Sequence, residues 1–251
     1  MKSIEFIGAP GSGKTFFKNK MIIFFKKKRI DTLDYTDFFL KNYIYIHKPN
    51  LITNQKIFIK KKLSNRNNYF LRYLNYKIDK FINFEKEYKK ANNNLYTKKF
   101  LKNYFNKLRL NSKNIILRNK LKKWLIGELA SINIYKKTNN KKELLINSEG
   151  INQRIIRLIL EIKINKIKNF LKNVNYHKFE SDIIIFVNTK PSTCIHRVKN
   201  RKEKKYTLAD INNFYLKSKY IFKNTKKKKF IINENNKDYQ IFDDIYDYIN
   251  S

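Results

Sequence analysis

Three of the five glycines in this 251-residue chain fall within eight consecutive residues, Gly8-Ala9-Pro10-Gly11-Ser12-Gly13-Lys14-Thr15. The run satisfies the pattern G-x-x-x-x-G-K-[ST] in full. Before it, Lys2 to Ile7 is a short alternating run with β-branched and aromatic residues suited to a strand; after it, Phe17, Met21, Phe24 and Phe25 follow at helical spacing. Strand, loop and helix therefore stand in the order the pattern requires. Glycines let such a loop curl until successive backbone N–H groups point inward at phosphate oxygens, and the following helix N-terminus adds its partial positive charge. The predicted cradle is Gly8, Ala9, Pro10, Gly11, Ser12 and Gly13, with Lys14 bridging the outer phosphates of a nucleoside triphosphate and the Thr15 hydroxyl ligating Mg²⁺.

A second element begins after a turn at Thr138-Asn139-Asn140. Glu143 to Asn147 reads as a strand with Leu144, Leu145 and Ile146 as its buried centre, and it ends in Ser148-Glu149-Gly150. Ligands in open α/β sheets gather at the carboxyl ends of strands, which places Glu149 to meet the phosphates and the metal. Glu149 can there hold a Mg²⁺-bound water or accept the proton of an attacking hydroxyl; the purely structural alternative is an acid favoured by the dipole of a helix starting at Ile151. A further strand, Asp182 to Val187, is continuous enough for the middle of a parallel sheet and leads to Asn188-Thr189-Lys190-Pro191, with Pro191 as first helical residue. The helix beyond it carries His196, Arg197, Lys199, Arg201 and Lys202, which sets Arg197 and Arg201 one turn apart on one face. The alternative there is a solvated basic helix.

With these motifs the chain resembles the P-loop NTPases. An apolar strand followed by a helix with R-x-x-x-R is similar to the lid of nucleoside and nucleotide kinases, including thymidylate kinase-like proteins. The resemblance implies an α/β P-loop NTPase fold, a mainly parallel sheet flanked by helices, with an α-helical insertion. It implies one domain over residues 1–251, with its core at about 1–48 and 143–251 and a basic helical insertion at about 49–142 that closes over the second substrate. It further implies ATP and Mg²⁺, and transfer of the γ-phosphoryl group to a nucleoside, nucleotide or sugar-like acceptor. Lys14, Glu149, Arg197 and Arg201 are then the catalytic set, the two arginines lying against the transferring group.

The remaining elements fit that order. Ile30 to Tyr35 takes the place of a second strand, with Asp37 on the acceptor side; Leu208 to Lys223 reads as a helix with Ile211, Phe214, Tyr215 and Tyr220 inward; Lys229 to Asn233 reads as a strand and Asp238 to Asn250 as a closing helix. Between the motifs the periodicity is helical throughout: Phe70, Leu74, Ile78 and Phe81; Phe100, Tyr104, Phe105 and Leu108; Leu117, Leu121, Trp124, Leu125 and Leu129.

Composition bears on partners. The formal net charge is +37, with 21 Lys and 4 Arg against 4 acids between residues 51 and 142 alone. Two readings stay open: attraction to a nucleic acid, a phosphorylated substrate or a membrane face, or a Lys-rich solvated surface drifted with an A/T-rich coding sequence, since only 9 of the 57 basic residues are Arg. The first admits a nucleotide-dependent nucleic-acid-binding ATPase or a polynucleotide 5′-hydroxyl kinase that uses the basic insertion. Hydrophobic residues at 42% exclude a disordered chain, and one Cys excludes a disulfide framework or a Cys-rich zinc site. No apolar run approaches the roughly 18 residues of a membrane span and no signal peptide opens the chain, so a cytoplasmic protein is expected. A GTPase is disfavoured because Asn147-Ser148-Glu149-Gly150 lacks the Asp of D-x-x-G, and a Ser-His-Asp hydrolase because Gly11-Ser12-Gly13 belongs to the phosphate loop.

Overall fold

Alternation along the first strand sets the layers. In the computed structural model of the chain, which describes residues 2–33, 38, 84–111, 114–138, 143–161, 164, 167–174, 176–201, 206–234 and 238–251, strand β1 spans Ser3–Ile7. Ile4 and Phe6 enter one hydrophobic cluster and Ile7 enters another on the opposite face, as a period of two requires. β2 (Asp31–Leu33), β3 (Glu143–Asn147), β4 (Ile183–Asn188) and β5 (Lys228–Asn233) pair with it in the order β2-β3-β1-β4-β5, every pairing parallel. β1 lies at the centre, and β3 and β4 are buried almost end to end, so these strands read as apolar runs rather than half-polar ones. The edge strand β5 is mostly exposed and carries the solvated lysines at 228 and 229.

Helices cover both faces. On one side α1 (Lys14–Lys27) buries Phe17, Met21 and Phe25, and the closing helix Asp238–Asn250 buries Phe242 and Ile245, against Ile4, Phe6, Ile146 and Ile185. Each such side chain contributes about 1.5–3 kcal/mol by leaving water. On the other side lie α2 (Phe84–Ala91), α3 (Leu95–Asn111), α4 (Ile115–Thr138), α5 (Ile151–Glu161), α6 (Ile167–Val174), α7 (Pro191–Asn200) and α8 (Leu208–Asn224). The closing helix is α9, and a 3₁₀ turn at Tyr176–Phe179 stands between α6 and β4. No helix of the described residues is long and apolar enough to cross a membrane.

The expected helical stripes are packed as core: Phe100, Tyr104 and Leu108 of α3 and Leu121, Leu125 and Leu129 of α4 are buried in the same cluster as Ile155 and Ile159 of α5. The described part of segment 49–142 thus belongs to the helical layer over the sheet. Phe70, Leu74, Ile78, Phe81, Tyr35 and Asp37 lie outside the described residues. α7 ends at Asn200, so that Arg197 lies within it and Arg201, the second of the expected lid pair, caps it. α8 starts with a capping box in which Thr207 and Asp210 exchange hydrogen bonds.

One ionisable side chain occupies a core position of the central strand. Glu5 is fully buried, on the same face of β1 as Ile7, and its carboxylate accepts hydrogen bonds from the backbone N–H of Asn152 (3.3 Å) and of Gln153 (3.0 Å) and from Asn152 Nδ2 (3.0 Å). These are first-turn donors of α5, so a carboxylate from another element satisfies this helix start. Gly150 makes the approach possible, because a Cβ there would lie 2.5 Å from Glu5 Cδ. Burial outweighs the three donated bonds and pushes the Glu5 pKa up to about 8 from its ordinary 4.5.

Two outcomes follow from this contact. Gly150→Ala should destabilise the fold by about 1–3 kcal/mol in denaturant melts, since the added methyl meets a carboxylate held on three sides. Because folding raises the pKa of Glu5, the native state binds the proton more tightly than the unfolded chain, and stability should fall as pH rises from about 4.5 to about 8. Glu5→Gln removes that term, so its stability relative to wild type should grow between pH 5 and pH 8; parallel pH profiles for the two would refute it.

Candidate functional site

The Gly8–Thr15 run forms the turn from the carboxyl end of β1 into α1, and its conformation depends on two left-handed glycines. Gly11 has φ 82° and Gly13, the residue before α1, has φ 101°. Gly11 also lies so close to α7 that a Cβ would sit 2.3 Å from the carbonyl oxygen of Cys194. Three further contacts fix the loop. Ser12 N donates to Ala9 O, Thr189 Oγ1 donates to Ser12 O at 2.8 Å, and Gln153 of α5 brackets Gly8, donating from Nε2 to its carbonyl (3.2 Å) and accepting from its N–H (3.4 Å). Ser12 itself is buried, with its Oγ lacking a hydrogen-bond partner.

Lys14 is folded back into this loop. Its Nζ donates to the carbonyls of Gly8 and Ala9, each at 2.9 Å, and only 8% of the residue is exposed. Burial lowers its pKa to about 8; Glu149 opposes that fall, while the charges of Arg201 and Arg157 add to it. Thr15 is exposed at the start of α1 and, with Lys14, lines a cleft of about 920 Å³. The cleft brings together the sequence-predicted residues Pro10, Gly11, Gly13, Lys14, Thr15, Glu149, Arg197 and Arg201. Gly8, Ala9 and Ser12 stand behind its surface and shape the loop.

The carboxylate and the two lid arginines are held by partners the sequence did not name. Glu149, 48% exposed at its side chain, receives Arg154 Nη1 at 3.1 Å. Arg154 also donates from Nε to Glu128 at 3.0 Å, and Asn147 Nδ2 donates to the other Glu128 oxygen at 3.1 Å. Burial would lower the Arg154 pKa, but Glu128 and Glu149 outweigh it and keep the guanidinium charged; burial likewise pushes Glu128 up to about 7, against the pull of Arg154. From α7, Arg197 pairs with Glu234 at 2.9 Å, just after β5, and Arg201 Nε donates to the Arg197 carbonyl.

Four of the nine arginines of the chain, Arg154, Arg157, Arg197 and Arg201, therefore line one cleft together with the phosphate loop. Arg154 and Arg157 of α5 both lie over the ring of Trp124 from α4, at 4.7 and 5.3 Å from its centroid. Arginine scarcity, which points to Arg197 and Arg201, carries the same signal for Arg154 and Arg157, spaced i,i+3 on α5. Glu5, Glu128 and Gln153 leave no comparable trace, because their roles come from elements distant in sequence.

No protein-family model and no curated protein sequence matches the chain. Among solved structures it is similar to the deoxyadenosine kinase of M. mycoides. With dCMP and a flexible dCDP bound, that protein shows TM-score 0.49 and 12% identity over 99% of this chain and 98% of that one. The dATP-bound form gives 0.47 and 14% over 99% and 100%, and the dCTP-bound form 0.43 and 12% over 99% and 98%.

The Glu128–Arg154 pair is nearly enclosed, so its removal should be asymmetric. Glu128→Leu, which leaves a buried guanidinium with one exposed partner, should cost about 3–5 kcal/mol of stability, while Glu128→Gln keeps one acceptor oxygen for Arg154 Nε, loses the bond from Asn147 Nδ2, and should cost less. Urea melts of the two variants check this; equal losses would show that the retained hydrogen bond contributes nothing and the lost charge everything.

Proposed function

We propose that this protein is an ATP-dependent phosphotransferase acting on a small-molecule acceptor. The observation that carries the reading is the convergence on one cleft of the phosphate loop with Lys14, a carboxylate at a strand end, and four arginines in a chain whose basic residues are otherwise overwhelmingly Lys. A protein using its charge only for diffuse attraction needs no such gathering of guanidinia, which suit the planar, bidentate recognition of phosphates.

In this reading the N–H groups of the Gly8–Gly13 loop and the α1 N-terminus bind the β- and γ-phosphates, and Lys14 exchanges its two carbonyl partners for phosphate oxygens. Gln153 holds Gly8 while this happens, so the loop keeps its shape when Lys14 leaves it. The Thr15 hydroxyl and the Glu149 carboxylate fit Mg²⁺, which takes one or two hard oxygen ligands from protein and the rest from phosphates and water. These two groups would hold the ion, whose charge would offset that of the phosphates. Glu149 accepts the proton of the acceptor hydroxyl as its oxygen forms the new bond to phosphorus and the bridge to the β-phosphate breaks, releasing ADP. Arg197 and Arg201 bind the equatorial oxygens of the group in transit. Catalysis is then positioning plus electrostatics.

Lys14→Ala should abolish the stabilisation that ATP·Mg²⁺ gives wild type in thermal melts, about 2.7 kcal/mol at 100 times the dissociation constant, while the unliganded protein stays folded. Undiminished ATP stabilisation in that variant refutes the site. Glu149→Gln keeps the hydrogen bond to Arg154 and should lower kcat by about 10²–10⁴ with little change in nucleotide affinity. ADP release measured over a panel of nucleosides, nucleotides and sugars supplies the rate; unimpaired turnover by the Gln variant rejects the base.

A further inference from the structure

No step of the phosphotransfer employs Arg157, one of the four arginines of the cleft. Arg154 is matched by Glu128 and Glu149, and Arg197 by Glu234, whereas no carboxylate pairs with Arg157 among the described residues. Its Nη2 donates to a neutral group, the Tyr206 hydroxyl, at 3.1 Å, and its Nε–H is buried with no acceptor. A buried guanidinium N–H without an acceptor is unfavourable, and the group persists where a ligand supplies the missing oxygen. The Trp124 ring beneath both Arg157 and Arg154 restricts where the guanidinium can go, so it is held ready rather than recruited.

Its position indicates which ligand it meets. Arg157 lies one helical turn beyond Arg154, the residue that holds Glu149, and lines the same cleft. Nε and Nη2 form one edge of the guanidinium fork, the edge that grips two oxygens of an oxyanion, and the Tyr206 hydroxyl stands at that edge as a further donor. The lining of the cleft is strongly cationic: six Lys and Arg side chains against two carboxylates. A magnesium-bound triphosphate brings roughly two negative charges, and a phosphate monoester adds about 1.5 to 2 more, which approaches that excess of four.

We propose that Arg157 and Tyr206 bind the phosphate group of the acceptor, so that the second substrate is a phosphate monoester bearing a free hydroxyl or phosphate oxygen to be phosphorylated. This rests on the phosphotransfer reading and narrows its substrate class to anionic acceptors.

Trp124 is the single tryptophan of the chain and reports on this corner directly. With the phosphate loop saturated by a non-hydrolysable ATP analogue and Mg²⁺, inorganic phosphate should produce a saturable change in tryptophan fluorescence. Arg157→Gln should weaken that phosphate response by about tenfold or more, and leave the affinity for the ATP analogue within about twofold. Tyr206→Phe, which removes only a hydroxyl, should weaken it several-fold and serves as the test should the Arg157 variant fail to fold. No saturable response in wild type, an equal response to acetate, or a loss confined to the ATP analogue in Arg157→Gln each overturns the proposal, the last by assigning Arg157 to the donor nucleotide. Failure of wild type to bind the ATP analogue at all is a separate result, one that removes the phosphotransfer reading itself and this inference with it.

Discussion

The carboxylate of Glu5 is the contact on which the rest of the site hangs. It sits buried in the central strand and takes the first-turn N–H groups of α5. That contact fixes where α5 begins relative to the sheet, and α5 then supplies Gln153 to the phosphate loop and Arg154 and Arg157 to the cleft wall. A chain of short hydrogen bonds thus runs from the core strand through Gln153 to Gly8, whose carbonyl also receives Lys14. Polar groups so deeply enclosed are stabilising only when fully satisfied, which makes the arrangement specific to one placement of the helix.

Electrostatics in the cleft follow a division of labour. Arginines that border the candidate catalytic groups are matched by acids, Arg154 by Glu128 and Glu149 and Arg197 by Glu234, which holds them in place and limits their mutual repulsion. Lys14 borrows backbone carbonyls instead, and its lowered pKa records the cost of holding a cation in that place. The overall charge of +37 says little about any of this, because 48 of the 57 basic residues are Lys. What separates the cleft from the surface is the choice of guanidinium over ammonium.

Much of the fold was legible because parallel α/β architecture writes itself in local patterns. Leu144 to Ile146 and Ile183 to Val187 are short apolar runs bounded by polar residues, and the structure makes them strands at the observed limits or within one residue of them. Stripes such as Phe100-Tyr104-Leu108 are buried as their spacing indicates. The phosphate loop was legible for a stronger reason: backbone conformations with positive φ at Gly11 and Gly13 demand glycine, so geometry is imprinted on residue identity. Gly150 was visible as a glycine behind Glu149, but its reason was not, since the group it accommodates belongs to Glu5, far away in sequence.

By itself the sequence determined the order of strands and helices, the phosphate-binding turn and the clustering of arginines near two strand ends, because each depends on residues within a turn or two of one another. Only the tertiary structure decided which acid faces which base. Glu128 reaches Arg154 from α4, Glu234 reaches Arg197 from beyond β5, and Trp124 slides beneath Arg154 and Arg157 from a helix that the sequence assigned to a separate insertion. Electrostatic and aromatic contacts act over a few ångströms of space and carry no sequence period. They become defined only when packing of the apolar faces has set the distances between elements.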